Sequence, residues 1–230
     1  IDGKDRWGDD DLDGTCWETR GIVKVYYAIL PDGFDSINQK ELLDGLPENI
    51  TSRLSDNNSI KRMLSLIGWH LLKNVTSFNF LKTIDFEEKG KPFSQNSDLY
   101  FNISNTKNIV TLAIGSERVG VDVEKLREPR EIIYQRVFTE SEIQSIEDAN
   151  DKVSQFTQLW TRKESVVKLF GGGISMGLTT FSALEDSIKA FNSKVIIQKV
   201  PIPNYICHLS TYRNVKLDIE AIDIPDLFSS

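Results

Sequence analysis

Two carboxylates stand side by side on the alternating stretch VGVDVEK, residues 119–125, where Val119, Val121 and Val123 alternate with Gly120, Asp122 and Glu124. In an extended strand, residues two apart share a face roughly 6.5 to 7 Å apart, so Asp122 and Glu124 could converge on a divalent cation while the valines face a core. Magnesium suits such a pair, because it takes oxygen ligands, keeps several waters and is held by one or two carboxylates plus substrate phosphates. Taken alone, the pair reads better as the wet face of a half-buried strand.

Further residues able to do chemistry lie on SQFTQLWTRKESVVKLF, residues 154–170. At helical spacing Phe156, Leu159, Trp160, Val166, Val167 and Phe170 form one apolar stripe, with Lys163 near its centre. The expectation for Lys163 is that its ammonium snorkels past the apolar surface. Glu164 and Lys168 project from the stripe's margin one turn apart and by themselves form an ordinary ion pair of helix neighbours. His70 and His208 sit at no ligand spacing from a cysteine or carboxylate, so neither zinc chemistry nor a catalytic triad has support. Glycines 171–173 do not follow a strand and open a helix, so they read as a helix stop rather than a phosphate cradle.

The elements that must position these residues are legible from composition and period. GIVKVYYAIL, 21–30, is β-branched and aromatic and ends in the turn signal Pro31-Asp32-Gly33. Residues 59–75 recur apolar at helical spacing, with Lys61 and Arg62 in the first turns. KGKPF, 89–93, reads as a loop, and residues 99–115 as two strands joined by a turn at Ser104-Asn105-Thr106. Two short helices follow the VGVDVEK strand, the second opening with Thr139 and Glu142 as a capping box. Four β-rich stretches, 177–184, 194–200, 204–211 and 215–222, run toward the C-terminus. The pattern predicts an α+β protein with mainly antiparallel sheets.

Bulk properties narrow the class. A length of 230 residues allows one large domain or two. No run approaches the 18 or more apolar residues of a membrane span, and no secretory start is present, which makes the cytoplasm the expected location. Cys16 and Cys207 are too few for a disulfide framework and read as thiols. A formal charge of -7 argues against nucleic acid as a partner, although Lys125, Arg127, Arg130 and Arg136 make a local cationic run. Asp9, Asp11, Asp13 and Gly14 begin a calcium-loop pattern, but the position of its closing glutamate holds Arg20, so the segment reads as a solvated tail.

Taken together, GVDVE (120–124), FTESE (138–142) and LWTRKESVVKLFGGGI (159–174) resemble the signature set of the surfactin-type 4'-phosphopantetheinyl transferases, with KGKP (89–92) and FNIS (101–104) resembling two upstream blocks. The resemblance implies a pseudo-twofold pair of similar α+β halves with a long helix in each. The corresponding divisions are an acidic segment 1–20, an N-terminal half 21–115 and a C-terminal half 116–230 that carries the metal site. It implies transfer of the phosphopantetheine arm of coenzyme A to a serine of an apo carrier protein, dependent on Mg2+, with release of adenosine 3',5'-bisphosphate. Asp122, Glu124 and Glu164 match the metal-binding carboxylates; Glu164 and Lys168 match the catalytic positions. Arg62 and Lys91 match positions that hold the 3'-phosphate of coenzyme A, and Lys89, Ser104, Asn105, Asp122, Glu164 and Lys168 complete the implied coenzyme A contacts. Asn105-Thr106 stands where the family commonly has His-Ser, and Gly172 where a basic residue is common. These departures leave open a weakened paralogue that binds coenzyme A or carrier protein without efficient transfer. Two halves in one chain imply a monomer.

Overall fold

The computed structural model describes residues 21–31, 33, 39–54, 59–128, 131–173 and 176–228. The calcium-loop pattern, Cys16, the whole 1–20 segment and Arg130 of the cationic run lie outside the described residues.

In chain order the elements are β1 (Ile22–Ile29), α1 (Gln39–Asp44), α2 (Glu48–Thr51), α3 (Ser59–Val75), α4 (Phe78–Lys82), β2 (Ile84–Phe86), β3 (Pro92–Ser94), β4 (Tyr100–Thr106) and β5 (Ile109–Gly115). They continue with β6 (Gly120–Glu124), α5 (Glu131–Val137), α6 (Glu140–Glu147), α7 (Lys152–Phe170), β7 (Ser187–Ala190), β8 (Ser193–Lys199), β9 (Ile206–Thr211) and β10 (Lys216–Ala221). The result is the expected α+β architecture. One four-stranded sheet has the order β10-β1-β5-β4, another the order β6-β9-β8-β7, and β2 and β3 form a separate hairpin. Neighbouring strands are antiparallel except β1 and β10, so the last strand leaves the C-terminal elements and pairs parallel with the first.

Each larger sheet carries one long helix. The stripe of α3 (Met63, Leu64, Ile67, Leu71) is buried with Phe101, Leu112 and Ile114. Gly68 lets this helix approach β4, since a Cβ there would stand 2.8 Å from Ile103 Cγ2. In the second unit Phe156, Leu159, Val166, Val167 and Leu169 of α7 pack with Val195 and Ile197. A third cluster joins the two sheets, with Val23, Val25 and Ala113 meeting Val121, Val123 and Leu209. The alternating valines of β6 therefore anchor that strand between the sheets, which fixes the direction of Asp122 and Glu124 on the other face.

The caps follow the sequence. Thr139 and Glu142 complete a capping box on α6, Asp151 Oδ1 accepts from Ser154 N at the start of α7, and Gly171 ends α7 with φ of 81°. Two expectations are corrected. The turn between β4 and β5 is at Lys107-Asn108 rather than Ser104-Asn105-Thr106, because Lys107 takes the left-handed φ of 49° and Asn108 ties its amide to Leu30 O at 2.9 Å. Ser104, Asn105 and Thr106 are thus strand residues. The stretch 177–184 is no strand: Gly177 (φ 83°) opens a 3-10 turn over Leu178–Thr180, and the carbonyls of Leu178 and Phe181 accept from Lys163 instead of a ladder partner.

Candidate active site

β4 runs beside the free edge of β6 without sharing a backbone ladder, and its alternate side chains close the seam. Asn102 Oδ1 accepts from Val121 N at 2.8 Å, Ser104 Oγ accepts from Val123 N at 3.3 Å, and Thr106 Oγ1 donates to Glu124 Oε2 at 2.7 Å. Asn105 lies on the opposite face of β4, the face of Phe101 and Ile103, by strand alternation. On the far side of β6, α7 comes close over Gly120, where a Cβ would stand 2.1 Å from Ser165 O and 2.3 Å from Leu169 N. No other residue type permits that approach, and it brings Glu164 and Lys168 over the strand.

The carboxylates are not on a wet face. Asp122 is 5% exposed, and its Oδ1 accepts from Lys168 Nζ at 2.6 Å and Ser104 Oγ at 3.0 Å. Lys168 Nζ also donates to Ser104 Oγ at 2.8 Å, closing a triangle drawn from three separate elements. Lys168 is therefore paired with Asp122 of the strand beneath it, and no ion pair joins it to Glu164 among the described residues. Glu124 is half-buried and lies 3.7 Å from Arg127 Nη1, while the Arg127 guanidinium stacks 4.5 Å over Trp160.

Two carboxylate oxygens in this cluster are buried and lack a hydrogen-bond partner, Asp122 Oδ2 and Glu164 Oε1. Burial pushes Glu164 up to about 7, and the charge of Asp122 adds to the rise; Lys168 opposes it. Burial also raises Glu124, against the Thr106 hydrogen bond, with Asp122 raising it further. Three acids thus sense one another in a partly desolvated place, a condition that a hard divalent cation relieves. The donor set, all carboxylate oxygen, fits magnesium or a similar ion. Among the described residues no three acidic, histidine or cysteine side chains are gathered in ligand geometry, and Asp122 Oδ1 is paired with Lys168.

The remaining sequence candidates lie on other elements. Arg62 is half-buried in the first turns of α3, and Lys89 is exposed at the tip of the β2–β3 hairpin. Lys91, expected at a phosphate, turns its ammonium to backbone instead, donating to Lys168 O at 2.5 Å, Leu169 O at 2.9 Å and Val119 O at 3.2 Å. Burial lowers it to about 8, with Arg118 adding to the fall. A cavity of about 290 Å³ opens beside it, lined by residues that include Glu87, Phe93, Ser97, Tyr100 and Arg118.

Sequence reasoning missed two parts of this site. The polar alternation of Asn102, Ser104 and Thr106 against Phe101 and Ile103 was a signal for a seam-facing side of β4. The second part is Lys163, which does not snorkel. It is 0% exposed, 2.9 Å from Glu142 Oε2, and donates to the carbonyls of Leu178 and Phe181 at 2.7 Å each. The neighbouring residue on α7 is Glu164, so this buried pair fixes the helix at the site. Glu142, expected only as a capping residue, holds it from α6 while Oε1 accepts from Ala183 N.

The chain is similar to known proteins over the stretch that carries these elements. A profile of the 4'-phosphopantetheinyl transferase superfamily matches residues 118–219, the stretch holding β6 and α7. The 4'-phosphopantetheinyl transferase Sfp of Bacillus subtilis is 30% identical over 156 residues, 64% of this chain and 67% of that protein. The 4'-phosphopantetheinyl transferase AcpT of Salmonella typhimurium is 33% identical over 139 residues, 56% of this chain and 71% of the relative. With the 4'-phosphopantetheinyl transferase gsp of Aneurinibacillus migulanus the identity is 38% over 96 residues, 41% of this chain and 40% of that relative's length. A chain that shares this much of such proteins, and folds the shared part around Asp122, Glu164 and Lys168, belongs to the 4'-phosphopantetheinyl transferase superfamily, a family of transferases.

Proposed function

We propose that the chain transfers the 4'-phosphopantetheine arm of coenzyme A to a serine hydroxyl of an apo carrier protein, in a Mg2+-dependent reaction that releases adenosine 3',5'-bisphosphate. The observation that carries this reading is the meeting of Asp122, Glu164 and Lys168 at the seam, with Asp122 Oδ2 and Glu164 Oε1 buried and unpartnered. Asp122, Glu124 and Glu164 would hold Mg2+, which when bound supplies charge neutralisation of the pyrophosphate.

The chain's own groups supply the rest. Lys168, the cation nearest Asp122, neutralises negative charge on the transferring group and orients it. The serine oxygen bonds to the phosphorus that carries the pantetheine arm, the pyrophosphate bridge breaks, and adenosine 3',5'-bisphosphate departs. Glu164, beside Asp122 over the strand, is assigned to receive the serine proton, with a water as the alternative acceptor. The cavity with Phe93 and Tyr100 suits the adenine end, with Arg62, Lys89, Ser104 and Asn105 assigned to the nucleotide side. Lys125, Arg127, Arg130 and Arg136 lie on the chain just after the site and would draw an acidic carrier. We place the enzyme in the cytoplasm as a monomer; no helix among the described residues is long and apolar enough to cross a membrane.

Incubation with coenzyme A, Mg2+ and a panel of apo acyl and peptidyl carriers, with chromatographic detection of adenosine 3',5'-bisphosphate, tests the reading. Product with at least one carrier supports it. Tight carrier binding by calorimetry with no product on any carrier replaces it with the binding-only paralogue.

A further inference from the structure

We infer that Lys91 is a positioning residue for the Asp122–Lys168 pair rather than a ligand of the nucleotide's 3'-phosphate; the inference rests on the transfer reading above only for its kinetic arm. An ammonium has three N–H donors and no acceptor. Those of Lys91 face three backbone oxygens, Val119 O at 3.2 Å, Lys168 O at 2.5 Å and Leu169 O at 2.9 Å. Turning the ammonium out to a phosphate would strip these carbonyls of their donor.

The three carbonyls belong to the two segments that must stay in register. Val119 leads into β6, which carries Asp122, and Lys168 is itself the partner of Asp122 at 2.6 Å. One side chain of the N-terminal half therefore ties the start of that strand to the end of that helix. The last carbonyls of an α-helix have no partner within it. In α7, Gly171 N donates to Val167 O at 2.9 Å, Lys91 takes Lys168 O and Leu169 O, and Arg118 Nη1 donates to Phe170 O at 3.3 Å. Arg118 is held in turn by an ion pair to Glu87 of the same hairpin region.

Both cations stand at the negative end of the helix macrodipole, where positive charge is stabilising. Gly171 makes the docking possible. Its φ of 81° suits glycine, and a Cβ there would come 2.4 Å from Glu87 Oε2 and 3.0 Å from Lys91 Cδ. The hairpin end, with Glu87 and Lys91, is thus seated on the helix end, and the placement of Lys168 depends on that contact. Loss of Lys91 frays the last turn of α7 and lets Lys168 drift from Asp122, while phosphate recognition elsewhere is left intact.

Two measurements on the full chain test this with Lys91→Met and Lys91→Gln. Hydrogen exchange of the amides of residues 167–171 should quicken about tenfold or more in Lys91→Met, the factor given by about 1.4 kcal/mol of lost hydrogen bonding, while β5 amides stay protected. Lys91→Gln, which keeps N–H donors, should lie between wild type and Lys91→Met, and serves if the methionine variant does not fold. Kinetically, kcat should fall about tenfold or more with both coenzyme A and 3'-dephospho-coenzyme A, and the ratio of their kcat/KM values should stay within about twofold of wild type. Collapse of that ratio toward one, with kcat for dephospho-coenzyme A unchanged, identifies a phosphate ligand and overturns the inference. Unchanged exchange at residues 167–171 overturns it equally. A wild-type protein that transfers from neither donor refutes the proposed function, and the exchange comparison then decides the placement of Lys91 by itself.

Discussion

Replacing Lys163 by methionine keeps the length of the side chain and removes its charge where the ammonium is wholly buried. Nζ is 2.9 Å from Glu142 Oε2, 2.7 Å from Leu178 O and Phe181 O, and 4.4 Å over the Phe181 ring, so every donor is used. Methionine leaves Glu142 a buried carboxylate supported only by donors from Thr139 and Ala183. Breaking such a pair from one side costs about 3–5 kcal/mol. Two carbonyls that lose their donor add about 1 kcal/mol each, and the buried thioether chain offsets part of the sum. The expected net loss is about 4 kcal/mol, most of a typical domain's margin. Urea unfolding of wild type, Lys163→Met, Glu142→Gln and the double variant closes a cycle whose coupling should be about 2 kcal/mol or more. Single effects that add to within about 0.5 kcal/mol would refute the reasoning, because partners that do not share a buried contact do not couple.

Gly120→Ala places a Cβ 2.1 Å from Ser165 O, which is backbone and cannot swing aside. The substitution should lower stability by about 2–3 kcal/mol by urea unfolding and abolish product formation by displacing α7; wild-type behaviour would contradict the close approach. Glu164 binds a proton in the folded state up to about 7 against 4.5 unfolded, so the folded state holds more protons between these values and stability falls as pH rises through them. Glu164→Gln should therefore raise the urea midpoint at pH 8 in chelator, by a few kcal/mol in stability, while removing activity; no gain at pH 8 would count against a desolvated carboxylate. His208, opposite Asp122 in the β6–β9 register, is lowered to about 3 by burial and is kept neutral beside Thr161 Oγ1 at 2.7 Å. The unfolded chain protonates it below about 6.5, so its contribution is full above that pH and is lost as pH falls toward about 3. His208→Gln should flatten the dependence of the urea midpoint on pH between about 4 and 6, and an unaltered slope would contradict this.

The local structure was legible because it rests on local rules. The period of α3, the caps Thr139 and Gly171, and the alternation of β6 are set by residues near in sequence, and α3 and α7 formed as their apolar stripes require. Environment was not legible in the same way. Asp122 looks wet from its own strand, since nothing within GVDVE announces that Ser104 and Lys168 will cover it. Lys163 looks like a snorkelling side chain until Glu142 and the carbonyls of Leu178 and Phe181 arrive from other elements. The same carbonyls explain why a β-rich stretch at 177–184 became a turn. The pairing of β10 with β1 joins the two ends of the described chain, a long-range choice that alternation alone does not specify. For the site, the resemblance assembled Asp122, Glu124, Glu164 and Lys168, while geometry added Asn102, Thr106 and Gly120 and turned Lys91 toward the helix end.

On the proposed function Asp122, on the edge strand where the two sheets meet, serves group transfer from coenzyme A. The most direct measurement is the intact mass of an apo carrier protein after incubation with coenzyme A, Mg2+ and either wild type or Asp122→Ala. The expected result is a gain of one phosphopantetheine on the carrier serine with wild type and none with Asp122→Ala, both proteins being folded by circular dichroism. No gain on any carrier with wild type, or equal gain with Asp122→Ala, would contradict it.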